Sequence, residues 1–183
     1  VAGLAESIDE SLRDGQSSQS PPVTRRARDG HLPLSYAQQR LWFIDRLERS
    51  SVEYNMPQAL RLCGALDVHA LRRAVSTIVE RHESLRTRFV ELDGEPVQRI
   101  EPSLDLELPL VDWSELDHAE REERVRRALA EEASRPFDLH DGPLVRVTLL
   151  KVAASEHVLL RTLHHIVSDG WSEAVWNREL DAL

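Results

Sequence analysis

The 183-residue sequence predicts a mixed α/β fold, a sheet covered by helices. Three observations carry this reading. Stretches with strand alternation and stretches with helical spacing follow one another along the chain instead of separating into blocks. Asp93-Gly94 stands between two strand-like runs, which is a strong hairpin signal. The hydrophobic content, 41%, is enough for one sizeable core.

Residues 1–15 place Val1, Leu4, Ile8 and Leu12 on one helical face, with Gly15 as the stop. Residues 16–30 hold Ser, Gln, Pro and Arg with almost nothing to bury, and read as a linker that marks a domain boundary. Arg25, Arg26 and Arg28 within it read as a solvated charge run. The domain proper then occupies 31–183. It opens with a helix over 34–47, capped by Ser35, whose apolar stripe is Ala37, Leu41, Ile44 and Leu47; Gln38 and Arg40 lie off that stripe. A strand over 56–63 ends at Gly64. Asp67 caps the next helix, in which Leu71, Ala74, Val75, Ile78 and His82 recur at helical spacing. Arg81 and Arg86 close that helix and lead into the hairpin 87–92 and 95–100.

Ser114 is the expected cap of a charged helix reaching about residue 133, with Leu116, Val125 and Leu129 as a thin apolar face. Its Glu–Arg pairs, three or four residues apart, mark a solvated surface. A strand over 144–152 carries Val145, Val147 and Leu149 on one side. It forms a hairpin with the apolar run 157–163, which reads as a buried strand. Residues 171–183 return to helical spacing through Trp171, Val175, Trp176, Glu179, Leu180 and Leu183.

Between that last strand and helix stands His164-His165-Ile166-Val167-Ser168-Asp169-Gly170, a site at a rigid strand end opening into a loop. Side chains alternate across a strand, so the two histidines face opposite ways and only one can enter a given pocket. That opposes a shared metal site, which needs convergent ligands, and no metal is expected. Asp169 is placed to accept backbone N–H groups or to hold an arginine. Gly170 offers a backbone without Cβ where close approach is needed.

Composition excludes several classes. A net charge of −9 opposes a nucleic-acid footprint, which needs a basic face. A lone cysteine, Cys63, allows no internal disulfide, and no apolar run is long enough to span a bilayer. The sequence reads as that of a cytoplasmic protein.

Residues 164–172, HHIVSDGWS, resemble the HHxxxDG signature of the condensation domains of nonribosomal peptide synthetases, shared in shorter form with chloramphenicol acetyltransferase-like acyltransferases. Two further stretches are similar to the family's first two motifs and stand in its order. They are 34–42, LSYAQQRLW, beside SxAQxRLW, and 81–89, RHESLRTRF, beside RHExLRTxF. The resemblance covers about residues 31–183. It implies a chloramphenicol acetyltransferase-like lobe of α/β (α+β) class, the N-terminal half only of a two-lobed domain and inactive by itself. Residues 1–15 would then be the last helix of a preceding carrier protein domain.

The resemblance also implies an activity: a carrier-bound acyl or peptidyl thioester donor is condensed with the amine of a carrier-bound aminoacyl acceptor. Val167-Ser168 is more like domains that accept an L-configured donor. An epimerisation domain of the same superfamily and a non-catalytic carrier-docking module are the alternatives; the DxxxxD pattern of the cyclising variant is not seen. The catalytic constellation would be His164, His165, Asp169 and Gly170. His165 takes the active role, either as general base or by positioning the amine, and His164 is structural. Asp169 would be a buried carboxylate paired with an arginine of the second motif, Arg86 ahead of Arg81. Gly170 would let the substrate approach, and Gln38 and Arg40 would line the tunnel. No cofactor is expected on the domain itself, since substrates ride on the phosphopantetheine arms of neighbouring carriers. Expected partners are the upstream donor and downstream acceptor carrier domains and an adenylation domain, with neither nucleic acid nor membrane.

Overall fold

The computed structural model describes Thr24, residues 32–48 and residues 51–183. Residue contacts divide the chain into two units, 1–30 and 31–183, and the second is described here. The helix expected over 1–15 and the linker expected over 16–30 lie outside the described residues.

The described residues of the domain form two sheets. The smaller orders β1 (Leu32–Pro33), β4 (Glu95–Ile100) and β3 (Thr87–Leu92), all antiparallel. Asp93 and Gly94 join β3 to β4 with φ of 52° and 83°, the left-handed pair that a two-residue hairpin turn requires. The larger sheet orders β2 (Asn55–Cys63), β7 (Glu156–His164), β6 (Val145–Ala153) and β5 (Leu110–Asp112). Its first three strands are antiparallel neighbours and β5 runs parallel to β6, so the sheet is mixed.

Among the described residues four helices cover these sheets: α1 (Tyr36–Leu47), α2 (Val68–Arg81), α3 (His118–Ser134) and α4 (Gly170–Ala182), with a 3₁₀ turn, Glu83–Arg86, after α2. Ser35 caps α1 in a capping box with Gln38, and the Asp67 side chain accepts the N–H groups of His69 and Ala70 at the start of α2. One face of the larger sheet, including Val145, Val147, Leu149, Leu159 and Leu163, packs on Leu71, Val75, Ile78 and Val79 of α2 and on Trp176 of α4. The other face, with Leu150, Val152, Val158 and Leu160, packs on Val125 of α3. Helices on both faces explain why eight of the nine residues of β7 are buried, the polar His157, Arg161 and Thr162 among them. A third cluster joins Phe89 of β3, Phe137, Leu139 and Leu144 to Ile166 and Val167, with Leu41 and Trp42 of α1 against it.

Three expectations change. Ser114 does not cap α3, because its N–H and hydroxyl both bond to Asp112 Oδ1, at 2.9 and 2.6 Å, in a turn of their own. Asp117 caps the helix instead, accepting the Glu120 N–H at 2.9 Å, and leaves Leu116 outside it. The stripe of α1 is only half covered, with Ala37 and Leu47 exposed. On α4, Trp176 is buried while Trp171 is 81% exposed. Strand β5, exposed along its length, was not anticipated, since it carries no apolar alternation. No helix among the described residues is long and apolar enough to cross a membrane.

Ile78 is wholly enclosed between α2 and the sheet. Ile78→Ala is expected to lower stability by about 2–5 kcal/mol, the usual result of emptying a core position. Urea denaturation of the 183-residue chain measures this, and a change under ~0.5 kcal/mol would show that the site is not packed as described.

Candidate functional site

Strand β7 ends at His164, and residues 165–169 turn into α4. The two histidines have opposite surroundings. His164 is 3% exposed, edge-on to the Phe137 ring at 6.0 Å and tilted toward Tyr54 at 6.4 Å. Its Nδ1 accepts the Ile166 N–H at 3.1 Å, so the neutral ring carries its proton on Nε2. Burial, with the adjacent His165 as the smaller cause, pushes its pKa down to about 4. A histidine in this state is a neutral structural group that shapes the turn.

His165 is on the other side. Its backbone N–H donates to the Tyr54 carbonyl at 2.9 Å, which ties the turn to the start of β2. Its side chain lines an open cleft of about 510 Å³ with Gln38, Arg40, Tyr54 and Asp169. Nδ1 lies 2.6 Å from the Ser168 carbonyl oxygen. A carbonyl can only accept, so Nδ1 holds the proton and Nε2 of the neutral ring keeps a lone pair. That leaves Nε2 as the group able to take a proton.

The structure therefore brings four of the predicted residues, Gln38, Arg40, His165 and Asp169, to one cleft. Gln38 also bridges elements: Oε1 accepts the Ser35 N–H at 2.9 Å, while Nε2 donates to the Ile166 carbonyl at 3.3 Å. Gly170 begins α4, and a Cβ there would meet no atom within 4 Å. His164, Arg81 and Arg86 stand away from the cleft lining. Tyr54 was missed, because nothing in its own neighbourhood announces that β2 begins beside the turn.

The expected ion pair of Asp169 with Arg86 or Arg81 is not formed. Asp169 is exposed and caps α4: its Oδ1 accepts the Ser172 N–H at 2.8 Å and the Ser172 hydroxyl at 2.6 Å. These bonds hold its carboxyl below the usual range. Arg86 is turned to the end of β4, donating to the Glu101 carbonyl and, at 3.5 Å, to the Glu80 carbonyl. Arg81 meets Glu179 of α4 at 3.1 Å, and His82 reaches the same oxygen at 2.9 Å. The buried arginine beneath this region is Arg161 on β7, 2% exposed. Its only signal in the sequence was a cation inside an apolar strand.

Two expected outcomes follow from this geometry. His164 has its ordinary pKa of 6.5 when unfolded and about 4 when folded, so the unfolded chain binds the extra proton between those values. Stability is whole above pH 6.5 and falls on acidification toward pH 4, by about 3 kcal/mol from this residue. Denaturant midpoints across that range should show the slope, and His164→Gln should flatten it; an unchanged slope would place the proton elsewhere. Asp169→Ala should lower stability by about 1 kcal/mol, the worth of a helix cap, with Asp169→Asn close to wild type. A loss of ~3–5 kcal/mol would instead indicate a broken buried ion pair.

With fold and cleft in view, comparison with known proteins is direct. The family model described as the condensation domain matches residues 28–183. One protein of the linear gramicidin synthase of Brevibacillus parabrevis is 48% identical over 180 residues, which is 98% of this chain and 2% of that protein. The chondramide synthase of Chondromyces crocatus is 46% identical over 94% of this chain and 4% of its own length. The chain thus spans only a few hundredths of these curated relatives. Among solved structures, the starter condensation domain of rhizomide synthetase RzmA is similar with a TM-score of 0.77 and 24% identity, over 83% of this chain and 38% of that one. The first condensation domain of the calcium-dependent antibiotic synthetase is similar with a TM-score of 0.73 and 26% identity, over 83% and 36%. The expected mixed α/β, chloramphenicol acetyltransferase-like architecture is the one these structures share, and the chain belongs to the condensation domain family of nonribosomal peptide synthetases.

Proposed function

We propose that the domain takes part in peptide-bond formation in nonribosomal peptide synthesis, with His165 as the working side chain. The observation that carries this is the Nδ1 to Ser168 carbonyl bond of 2.6 Å, which leaves the Nε2 lone pair of His165 facing the cleft. An acceptor amine attacks the carbonyl carbon of a donor thioester; the C–N bond forms, the C–S bond breaks, and the sulfur leaves as a thiol. The amine must shed a proton on the way, and Nε2 can take it or hold the amine in line by accepting its hydrogen bond. Gln38 and Arg40 then line the approach, and Gly170, at the start of α4, leaves the backbone open to substrate.

In this reading both substrates arrive on phosphopantetheine arms of carrier domains, the donor L-configured, with an adenylation domain in the same synthetase. Residues 1–15 are the end of the upstream carrier and 16–30 the linker. Support comes from a second protein of the linear gramicidin synthase, 46% identical over all 183 residues, so that the leading segment also has a counterpart in a synthetase.

The test uses a complete synthetase module containing this chain, aminoacyl-loaded donor and acceptor carriers, and mass spectrometry of the carriers. His165→Ala should lower single-turnover amide formation by about 10²-fold or more, with an unchanged circular dichroism spectrum. Amide formation at the wild-type rate would sink the proposal. Exchange of the donor α-proton without amide would indicate epimerisation, and neither reaction would indicate docking alone.

A further inference from the structure

Arg161 heads the fully buried side chains of the described residues by volume, and it is a cation. It lies in the body of β7, on the face that carries Leu159 and Leu163. A guanidinium has five N–H donors and stays charged in protein interiors. Here Nε, Nη1 and Nη2 are all buried without a hydrogen-bond acceptor. An apolar side chain of similar volume would be easier to bury, so packing does not account for an arginine.

Two groups answer the charge, and both belong to α4. The Glu173 carboxylate lies 3.5 Å from Nη2, an ionic contact without hydrogen-bond geometry, and the guanidinium carbon stands 5.0 Å from the centre of the Trp176 ring. Trp176 is the one buried residue of α4, with the partly buried Leu180 packed against the same core, and apolar contacts are non-directional and do not by themselves set how far a helix slides along a sheet. Glu179 ties down the far half of the helix through Arg81 and His82, leaving its first turn to Arg161.

That first turn leads directly to the site. The Glu173 N–H donates to the Asp169 carbonyl at 3.1 Å, and Ser172 holds the Asp169 carboxylate. Ser168, one peptide upstream, presents the carbonyl that fixes the His165 ring. We infer that Arg161 is a positioning residue: its buried charge draws Glu173 and Trp176 onto β7 and so sets the start of α4 where the Ser168 carbonyl can hold His165. This rests on the reading of His165 as the working group in amide formation.

The experiment compares wild type with Arg161→Met, Arg161→Lys and Glu173→Gln in the complete module, with His165→Ala as control. Two readouts accompany turnover: melting temperature, and ¹⁵N–¹H spectra of the imidazole rings of the 183-residue chain. Arg161→Met should melt at or above the wild-type temperature, because it removes a buried charge whose partner Glu173 still reaches solvent. Its kcat should fall tenfold or more with KM for the acceptor carrier unchanged, and its His165 ring should lose the preference for a proton on Nδ1. Arg161→Lys should recover part of kcat, and Glu173→Gln should lower kcat without lowering the melting temperature. Wild-type kcat and an unchanged His165 ring in Arg161→Met would overturn the inference. So would a loss of kcat that only follows a falling melting temperature. Should Arg161→Met fail to fold, Glu173→Gln decides, and wild-type kcat there overturns the inference. If wild type and His165→Ala form amide equally, the functional reading has failed, and the ring spectra alone decide the place of Arg161.

Discussion

The enclosure of β7 is the constraint on which the rest depends. It is hydrogen-bonded along both edges, to β2 and β6, and packed on both faces, by α2 and α4 on one side and α3 on the other. A strand held in four directions has little freedom in register or height. Moving it by one residue would exchange its two faces and put Arg161 against α3. The site is the end of this strand, so the position of the turn after His164 is inherited from the core and not from the loop itself.

From there the contrast between adjacent histidines follows chiefly from burial. His164 is turned inward among Phe137 and Tyr54, loses its hydration, and is held neutral far below the usual histidine range. His165, one peptide on, faces the cleft and is aligned by a single carbonyl. One residue shapes the turn by accepting the Ile166 N–H, and the other presents a lone pair. The bonds that keep the turn in place come from three separate elements: the Tyr54 carbonyl at the head of β2, Gln38 on α1, and the Asp169 cap of α4. Each is modest alone, of the order of ~1 kcal/mol, and together they hold the turn whose Ser168 carbonyl meets the His165 ring.

Much was legible in the sequence because much of it is local. The hairpin at Asp93-Gly94, the caps at Ser35 and Asp67, the strand ended by Gly64 and the opposed histidines all depend on groups within a few residues of one another. Period-2 and period-3.6 patterns then assign faces, so the sheet with its covering helices, and a histidine at a strand end, could be read directly. The motifs at 34–42, 81–89 and 164–172 added the family.

What tertiary structure alone decided is the partner of each charge. Asp169 has several arginines within plausible reach along the chain. It turned to its own helix because Ser172 supplies two donors at no cost in chain ordering, while Arg86 is committed to carbonyls at the end of β4. Ser114 lost the cap of α3 to Asp117 for a similar reason, since Asp112 already held it. Arg161 stands within the stretch read as an apolar strand, and only the packing of α4 on β7 brings Glu173 and Trp176 to it. Local patterns are settled by covalent neighbours and backbone geometry. Ion pairs between distant segments are settled by which surfaces meet, and a sequence specifies that only through the whole fold.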